Sequence, residues 1–466
     1  MFFFFLDMKP ITFFAFQGNL NRRIDEDDVG TISGEVENPE NGRWSFEDRN
    51  VDVKTGDVIH YYIYVSANKS GFVKDNLTYT IQGLFVFINI AYNCHTKIYM
   101  ILAVSRGFSH TPEPASGPED CTPSLTEVRG TKYRKCAGEV IFEDNFNSLE
   151  EDTWLIEQKI PLEHPEHPFV SYQRSAVFVK YGVLIIEPRL LQLTPNFTSD
   201  SLYAGTLDLY DGCTDSANSC HMTASGANIL PPIVSGRVSS KGFAFKYGTV
   251  TIQAKLPLGD WLYPEMLLEP FLYKYGKLDF ASGVIKIASA RGNIELHKDR
   301  KQFGNNVLYG GPIMDFKCHD TFLKSKVLKN VNEMWGDDFH NYSVRWEPER
   351  IVLSVDDQEW GRIDVGENGF RSEISATKCP NAPFTLWSKG RNNAPFDEFF
   401  YLTLGVAAGG ILEFEDGIFT INGHRKPYNN FNSKGQLRFW EDMDNWHATW
   451  NMDSGLYVDS VRITAL

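Results

Sequence analysis

The sequence predicts an all-β chain with two β-sandwich regions, and three observations support that prediction. Aromatic residues make up 14% of the 466 residues, enough to fill sandwich cores and leave rings for a binding surface. Residues 11–82 have the pattern of short alternating strands separated by turn sequences such as NPENG and KTGD. From Gly138 to Leu466 short β-like runs recur with no long amphipathic helix between them. We therefore expect an N-terminal immunoglobulin-like sandwich and a C-terminal concanavalin-like jelly roll.

Particular segments define each region. The N-terminal strands are FFAF, the segment around Trp44 and VIHYYIYV; the C-terminal ones include FKYGTVTIQAKLP, YSVRWEPERIVLSVDD, FFYLTLGVAAGG and YVDSVRITAL. In VIHYYIYV, alternation places Tyr62 and Tyr64 on one face and Tyr61 and Ile63 on the other. One of these two faces must belong to the core.

The two regions are separated by an apolar segment and a polar connector. Leu84 to Val104 is apolar and long enough for a membrane span. Lys97 and His95 lie near its middle, where an ionisable group costs roughly 2.5–3.5 kcal/mol. We therefore expect no membrane span and a buried or irregular insert. The predicted domains are 1–82, an insert and linker at 83–137, and 138–466.

Charge and cysteine content limit the partners and the compartment. The formal charge of −15 argues against nucleic acid, whose phosphates need clustered Lys and Arg. None of the seven cysteines forms a CxxC pair. Cys121 could bond to Cys136, and Cys213 to Cys220, in an oxidising compartment.

The sequence favours secretion without showing a signal peptide. Asn-x-Ser/Thr acceptors occur at Asn68, Asn76, Asn196 and Asn341. The opening MFFFFLDMKP lacks a basic n-region and an A-x-A site, so we expect that the natural start is missing or misassigned. The localisation expected from cysteines and sequons is extracellular.

Motifs for other chemistries are missing. No GxSxG, HExxH or GxxxxGK[ST] occurs, so no cofactor and no metal is expected. EHPEHP, from Glu163 to Pro168, could ligate a metal through its two histidines. Its prolines prevent the helix that would aim them, which favours a solvated loop.

Several segments together carry a family resemblance. FFAFQGNLN, NGRWSFEDRN and GDVIHYYIYV resemble the β-1,3-glucan-binding module of arthropod glucan recognition proteins. GEVIFEDNF, ILPPIVSGRVSSKGFAFKYG, AKLPLGDWLYP, SARGN and APFDEFFYLTLGVAAGG resemble the family 16 glycoside hydrolase-like domain of the same proteins. The resemblance implies a secreted sensor that binds microbial β-1,3-glucan and acts with serine proteases of an innate immune cascade.

The catalytic strand of active family members carries Glu-x-Asp-x-x-Glu, and here those positions hold Val284, Lys286 and Ser289. Retaining hydrolysis needs two carboxyl groups about 5–5.5 Å apart, and a one-residue bulge would bring the third position onto the face of the first two. We expect no hydrolase activity. The alternative is an active endo-β-1,3-glucanase that recruits Asp315 or Glu265; a defective gene product is the third hypothesis.

Sugar rings pack on aromatic faces and need polar partners for their hydroxyls. The resemblance places Tyr62 where a binding tryptophan is usual and Glu35 where an acidic contact is usual, whereas Val73 replaces a common arginine. The predicted glucan-binding residues are Glu35, Trp44, Asp48, Tyr62, Tyr64, Lys74, Asp75 and Trp261.

Overall fold

The computed structural model separates the chain into two compact units, Met1–Glu119 and Asp120–Leu466. The structure describes residues 2–6, 11–24, 30–36, 43–47, 51, 54, 56–67, 70–80, 85–92, 96–103, 121–131, 134–299, 301–330 and 332–466. The unit boundary differs from the expected domain end at residue 82, because strands continue to Ala103. The second unit likewise begins inside the expected linker.

The described part of the first unit consists of β-strands in two four-stranded antiparallel sheets, ordered β4-β1-β8-β7 and β3-β2-β5-β6. Its strands are β1 (Phe2–Leu6), β2 (Ile11–Leu20), β3 (Ile32–Val36), β4 (Arg43–Glu47), β5 (Val58–Ala67), β6 (Ser70–Thr80), β7 (Phe85–Tyr92) and β8 (Thr96–Ala103). The apolar segment is therefore a β-hairpin that pairs with β1, not an irregular insert. β-Branched and aromatic residues suit this strand pairing.

Alternation along β5 resolves which of its faces is core. Tyr61 and Ile63 are buried, and Phe16 of β2 stacks on Tyr61 at 5.2 Å between ring centroids. Tyr62 and Tyr64 are half-buried on the opposite face. The immunoglobulin-like arrangement of the two sheets stays a prediction.

The second unit is built on two large sheets. They are ordered β13-β14-β33-β21-β28-β29-β30, with β10 added beside β33, and β11-β19-β31-β22-β23-β26-β27, with β20 and β9 added beside β31. The strands are β9 (Glu127–Val128), β10 (Val140–Asp144), β11 (Leu155–Ile156), β12 (Val170–Tyr172), β13 (Val177–Lys180), β14 (Val183–Ile186), β15 (Arg189–Leu190), β16 (Thr206–Asp208), β17 (His221–Thr223), β18 (Ile233–Ser235), β19 (Arg237–Ser239), β20 (Phe245–Lys246), β21 (Gly248–Lys255), β22 (Leu262–Pro270), β23 (Val284–Ser289), β24 (Leu296–Lys298), β25 (Lys301–Gln302), β26 (Val307–Ile313), β27 (Lys324–Val327), β28 (His340–Trp346), β29 (Arg350–Val355), β30 (Gln358–Asp364), β31 (Phe400–Ala408), β32 (Phe419–Thr420) and β33 (Leu456–Thr464).

One hydrophobic cluster lies between these two sheets. It takes Val250 and Tyr342 from the first sheet and Leu268, Ile285 and Leu404 from the second. Short helices close the periphery: α1 (Ser201–Ala204), α2 (Phe384–Trp387), α3 (Gly435–Glu441) and α4 (Met443–Trp446). The all-β prediction is confirmed, and within the described residues no helix has the length and apolarity needed to cross a bilayer.

Three disulfides lie in the second unit. Cys121 is joined to Cys136 and Cys213 to Cys220, the two pairs that the spacing suggested. A third bond, Cys318–Cys379, was not foreseen, because 61 residues separate its members in the sequence.

The structure shows the exposure of two of the four glycosylation candidates. Asn196 and Asn341 are exposed in the second unit. Asn76 lies in β6, but its side chain is outside the described set, and Asn68 lies outside the described residues.

Candidate functional site

Strand β23 lies between β22 and β26 in the second large sheet. The register pairs Lys286 with Gly311 and Ser289 with Tyr309, so three steps on β23 oppose two on β26. This is the one-residue bulge that the sequence predicts, and it is the device that would bring the third position onto a shared face. The backbone of β23 therefore has the bulged geometry expected for the motif strand.

The side chains on β23 form no carboxylate pair. Val284 is apolar and 8% exposed. The Ser289 hydroxyl is fully buried and lies 3.5 Å from the carbonyl oxygen of Pro264. Valine has no group that could act as a nucleophile or an acid. Serine is a poor acid at neutral pH, so neither side chain replaces a carboxyl group.

Lys286 is held by acidic residues from outside the strand. Its Nζ lies 2.7 Å from Oε2 of Glu413, and Arg291 Nε lies 3.6 Å from the other oxygen of that carboxylate. Burial alone would lower the pKa of Lys286, but Glu413 and Glu166 offset it and raise that pKa. Burial would raise the pKa of Glu413, whereas Lys286 and Arg291 lower it. Lys286 is thus part of an internal ion pair.

Residues 161–168, which contain EHPEHP and which we call the strap, contact two other parts of the second unit. At one side Glu163 pairs with Lys277 at 2.7 Å, and the ring of His164 meets Phe280 edge-on at 6.2 Å. At the other side Glu166 accepts hydrogen bonds from the segment that leads to Glu413: its carbonyl from Ile411 N–H, its carboxyl from Leu412 and Glu413 N–H. The strap is therefore packed against two neighbouring segments, while Leu162, Glu163 and His167 are exposed, so the predicted solvated loop is only partly correct.

The strap contributes to the walls of two separate cavities. The larger, of about 1000 Å³, is lined by Glu166 together with Lys286 and Glu413. The smaller, of about 290 Å³, is lined by Glu163 and His164 together with Val284. Val284 and Lys286 are two residues apart on β23, so the strap helps to line both cavities close to this strand.

Two ionisable residues of the strap have shifted pKa values. Burial raises the pKa of Glu166 to about 7, against the opposing effect of Lys286. Burial lowers the pKa of His164 to about 3, and the charges of Arg237 and Lys159 add to that effect. At neutral pH His164 is uncharged, and its Nδ1 accepts the backbone N–H of Glu166 at 3.2 Å.

Glu265 and Asp315, the carboxylates of the alternative glucanase hypothesis, both form hydrogen bonds within the protein. Glu265 accepts a hydrogen bond from the Tyr172 hydroxyl at 2.8 Å and lies 3.4 Å from Arg237 Nε. Asp315 accepts the backbone N–H groups of Lys317 and Cys318 at 2.8 and 3.0 Å. Their contacts restrain both carboxylates within the protein.

Trp261 is not on a sugar-accessible surface, so its predicted role in binding is not supported. It is 1% exposed and packs edge-on against Phe414 at 5.2 Å. Its backbone has a φ of 66°, and its N–H donates to the side chain of Asn293. The sharp turn before β22 directs the indole into the core.

One face of the sheet β3-β2-β5-β6 brings three predicted residues together. Tyr64 is paired with Ala15, which is paired with Glu35 on the opposite side of β2. Residues paired across an antiparallel sheet share a face, so Tyr64 and Glu35 lie about 10 Å apart with only an alanine between them. Tyr62 occupies the next row on this face, and Glu35 is exposed.

An additional aromatic ring that the sequence analysis missed borders this face. Phe13 meets Tyr64 edge-on at 5.8 Å, and it lies two residues from Ala15 on the same strand face. The alternation in FFAF could have identified Phe13, because burial of Phe14 and Phe16 leaves Phe13 on the opposite face. We call Phe13, Glu35, Tyr62 and Tyr64 the aromatic face.

For three other predicted binding residues the structure gives only the backbone position. Trp44 lies in β4 and pairs with Phe5 of β1, in a different sheet from Tyr64. Lys74 pairs with Ile63, and Asp75 falls in the register shift of β6. The side chains of Trp44, Lys74 and Asp75 are outside the described set, and Asp48 lies outside the described residues.

A metal site finds no support in the part of the chain that the structure describes. The side chains with ligand-like proximity are Asp315, Cys318 and Cys379. Both sulfurs belong to the Cys318–Cys379 disulfide, and thiolates, not disulfides, ligate metals.

Family models match two separate stretches of the chain. The model CBM39, described as a carbohydrate binding domain (family 32), matches residues 3–99, and a glycosyl hydrolases family 16 model matches residues 319–398. The chain is similar to the catalytic domain of an endo-1,3-beta-glucanase (laminarinase) from Thermotoga petrophila, with 18% identity and a TM-score of 0.43, over 70% of this chain and 97% of that one.

Relatives match over nearly the whole length. A beta-1,3-glucan-binding protein of Hyphantria cunea is 49% identical over 99% of this chain and 92% of its own. Gram-negative bacteria-binding protein 1 of Drosophila melanogaster is 34% identical over 98% of this chain and 92% of its own. The chain therefore belongs to the family of insect β-1,3-glucan-binding and Gram-negative bacteria-binding proteins.

Proposed function

We propose that this protein is an extracellular sensor that binds microbial β-1,3-glucan in innate immunity and does not hydrolyse it. The observation that carries the proposal is the aromatic face, which combines half-buried tyrosines with the exposed carboxylate of Glu35. Glucose rings offer apolar C–H faces to aromatic rings and hydroxyls to carboxylates. The names of the relatives support the same ligand. Serine proteases as downstream partners are part of this proposal.

The second large sheet supports the claim that the protein does not cut. Lys286 occupies the middle motif position with a paired charge, and Val284 and Ser289 offer no carboxyl group. The strap also helps to line both cavities beside β23, and we infer that it obstructs the path of a polysaccharide over that strand.

The binding experiment compares full-length proteins on insoluble β-1,3-glucan. Tyr62→Ala/Tyr64→Ala should weaken binding about tenfold or more, because interface aromatics carry much of the free energy of sugar stacking. Tyr181→Ala/Tyr210→Ala is the matched control, since both tyrosines are exposed in the second unit. Equal binding by both variants, with unchanged circular dichroism, would refute the aromatic face as the glucan site.

The activity experiment incubates the protein with laminarin and measures reducing ends. No increase over a blank is expected. Turnover that Glu265→Gln or Asp315→Asn abolished would instead establish the alternative, a glucanase with non-standard carboxylates. Glu166→Gln and Glu413→Gln are added because both residues line the larger cavity with Lys286.

A further inference from the structure

The larger cavity presents an exposed aromatic ring at a strained backbone position. Phe431 is 76% exposed and has a φ of 61°. It meets Phe316 edge-on at 6.1 Å, and both rings line the cavity. A large apolar side chain in water and a left-handed backbone are both unfavourable, and strain held in place by the fold often marks a functional site.

The acidic residues around this cavity are largely neutralised by their neighbours. Glu413 is paired with Lys286, and burial keeps a large fraction of Glu166 protonated at neutral pH by raising its pKa to about 7. The remaining carboxylates have their own lysines at 2.7–2.9 Å, in the pairs Glu415–Lys298, Asp416–Lys426 and Asp320–Lys378.

Three lysines of the same lining are left over. Lys301, Lys317 and Lys324 are exposed and form no ion pair with any residue that the structure describes. The chain as a whole carries a formal charge of −15, so a cavity with a local excess of positive charge does not follow from the composition. A concave site of this sign concentrates anions.

We propose that this cavity binds a saccharide that carries an anionic group, either a carboxylate or a phosphate. A sugar ring would pack on Phe431, and the anionic group would lie among Lys301, Lys317 and Lys324. The volume of about 1000 Å³ is at the upper end for ligand pockets and fits several sugar rings. This site is separate from the aromatic face, and it goes beyond the proposed function because a neutral glucan has no charge for these lysines.

The test measures binding to the full-length protein by calorimetry at pH 7.5 and low salt. The probes are trigalacturonic acid for the carboxylate and glucose 6-phosphate for the phosphate. Fully methyl-esterified trigalacturonate and glucose are their uncharged counterparts. At least one anionic probe should bind about tenfold or more tightly than its counterpart, and added salt should weaken that binding.

Variants connect this binding to the cavity. Lys301→Glu/Lys317→Glu/Lys324→Glu and, separately, Phe431→Ala should each weaken binding of the anionic probe about tenfold or more. The control Lys180→Glu/Lys329→Glu/Lys389→Glu changes the net charge equally at exposed lysines outside the cavity and should bind as the wild type does. Laminarin binding should be unchanged in all of them, which separates this test from that of the aromatic face.

Three results would overturn the inference. They are no binding of either anionic probe, equal binding of charged and uncharged probes, and equal loss in the cavity and control triple variants. Thermal melts of each variant exclude unfolding as the cause of a loss.

Discussion

A lysine in the middle of a buried strand requires a negative partner, because a lone ammonium group is costly to remove from water. Glu413 meets that requirement for Lys286, and Arg291 shares the carboxylate. Lys286→Met should therefore lower the free energy of unfolding by about 2–4 kcal/mol, because Glu413 would keep only its longer contact with Arg291. Chemical denaturation of the purified protein measures this loss.

The exposed pair Arg362–Glu359 serves as the control for Lys286. Its side chains are 43% and 45% exposed, so Arg362→Met should leave the free energy of unfolding nearly unchanged. Lys286→Met/Glu413→Gln should recover part of the loss, since the buried charge is removed with its partner. A Lys286→Met variant as stable as Arg362→Met would show that the buried pair contributes little.

For single residues around β23, the sequence predicted the bulge but not the partner of Lys286. The bulge between Lys286 and Ser289 follows from local strand geometry, whereas the motif positions themselves come from the family resemblance. Glu413 could not be found in the same way, because 127 residues separate it from Lys286. Trp261 was misassigned, since only its turn conformation, with a φ of 66°, shows that the ring points inward.

At the scale of single elements, the strap contains two groups whose pKa values are shifted in opposite directions. His164 has its pKa lowered to about 3, so its contribution to stability is full above pH 6.5 and is lost as pH falls. Glu166 has its pKa raised to about 7, so its contribution is full below pH 4.5 and is lost as pH rises. Between pH 4.5 and 6.5 the two effects oppose each other.

Replacing either His164 or Glu166 should expose the effect of the remaining residue on the pH dependence of stability. In His164→Asn the free energy of unfolding should rise, relative to wild type, by about 1 kcal/mol per unit of acidification from pH 6.5 to 4.5. In Glu166→Gln it should fall by a similar amount over the same range. Denaturation curves at several pH values measure both slopes.

The control for the strap is His167→Asn, an exposed position on the same segment. It should leave the pH dependence of stability as in the wild type. Parallel curves for His164→Asn and His167→Asn would contradict the shielding of the His164 ring from solvent.

Two elements show why the sequence could not give the whole fold. EHPEHP contains nothing that identifies Lys277 and Ile411 as its contacts, because both are distant in the chain. The hairpin of β7 and β8 was expected as an insert, since the residues that pair with it, in β1, lie at the opposite end of the unit. Long-range pairing of this kind leaves no local periodic signal.

At the scale of the whole molecule, charge separates the two proposed sites. The aromatic face would bind a neutral polymer through ring packing and hydrogen bonds, which salt screens little. Binding of laminarin by the full-length protein should therefore change less than about twofold between 50 and 500 mM NaCl, although the chain carries −15. The lysine-lined cavity should lose affinity for an anionic saccharide over the same range. Titrations of both probes on one preparation make the comparison direct, and a steep salt dependence for laminarin would mean that charged groups, not the tyrosines, dominate glucan binding.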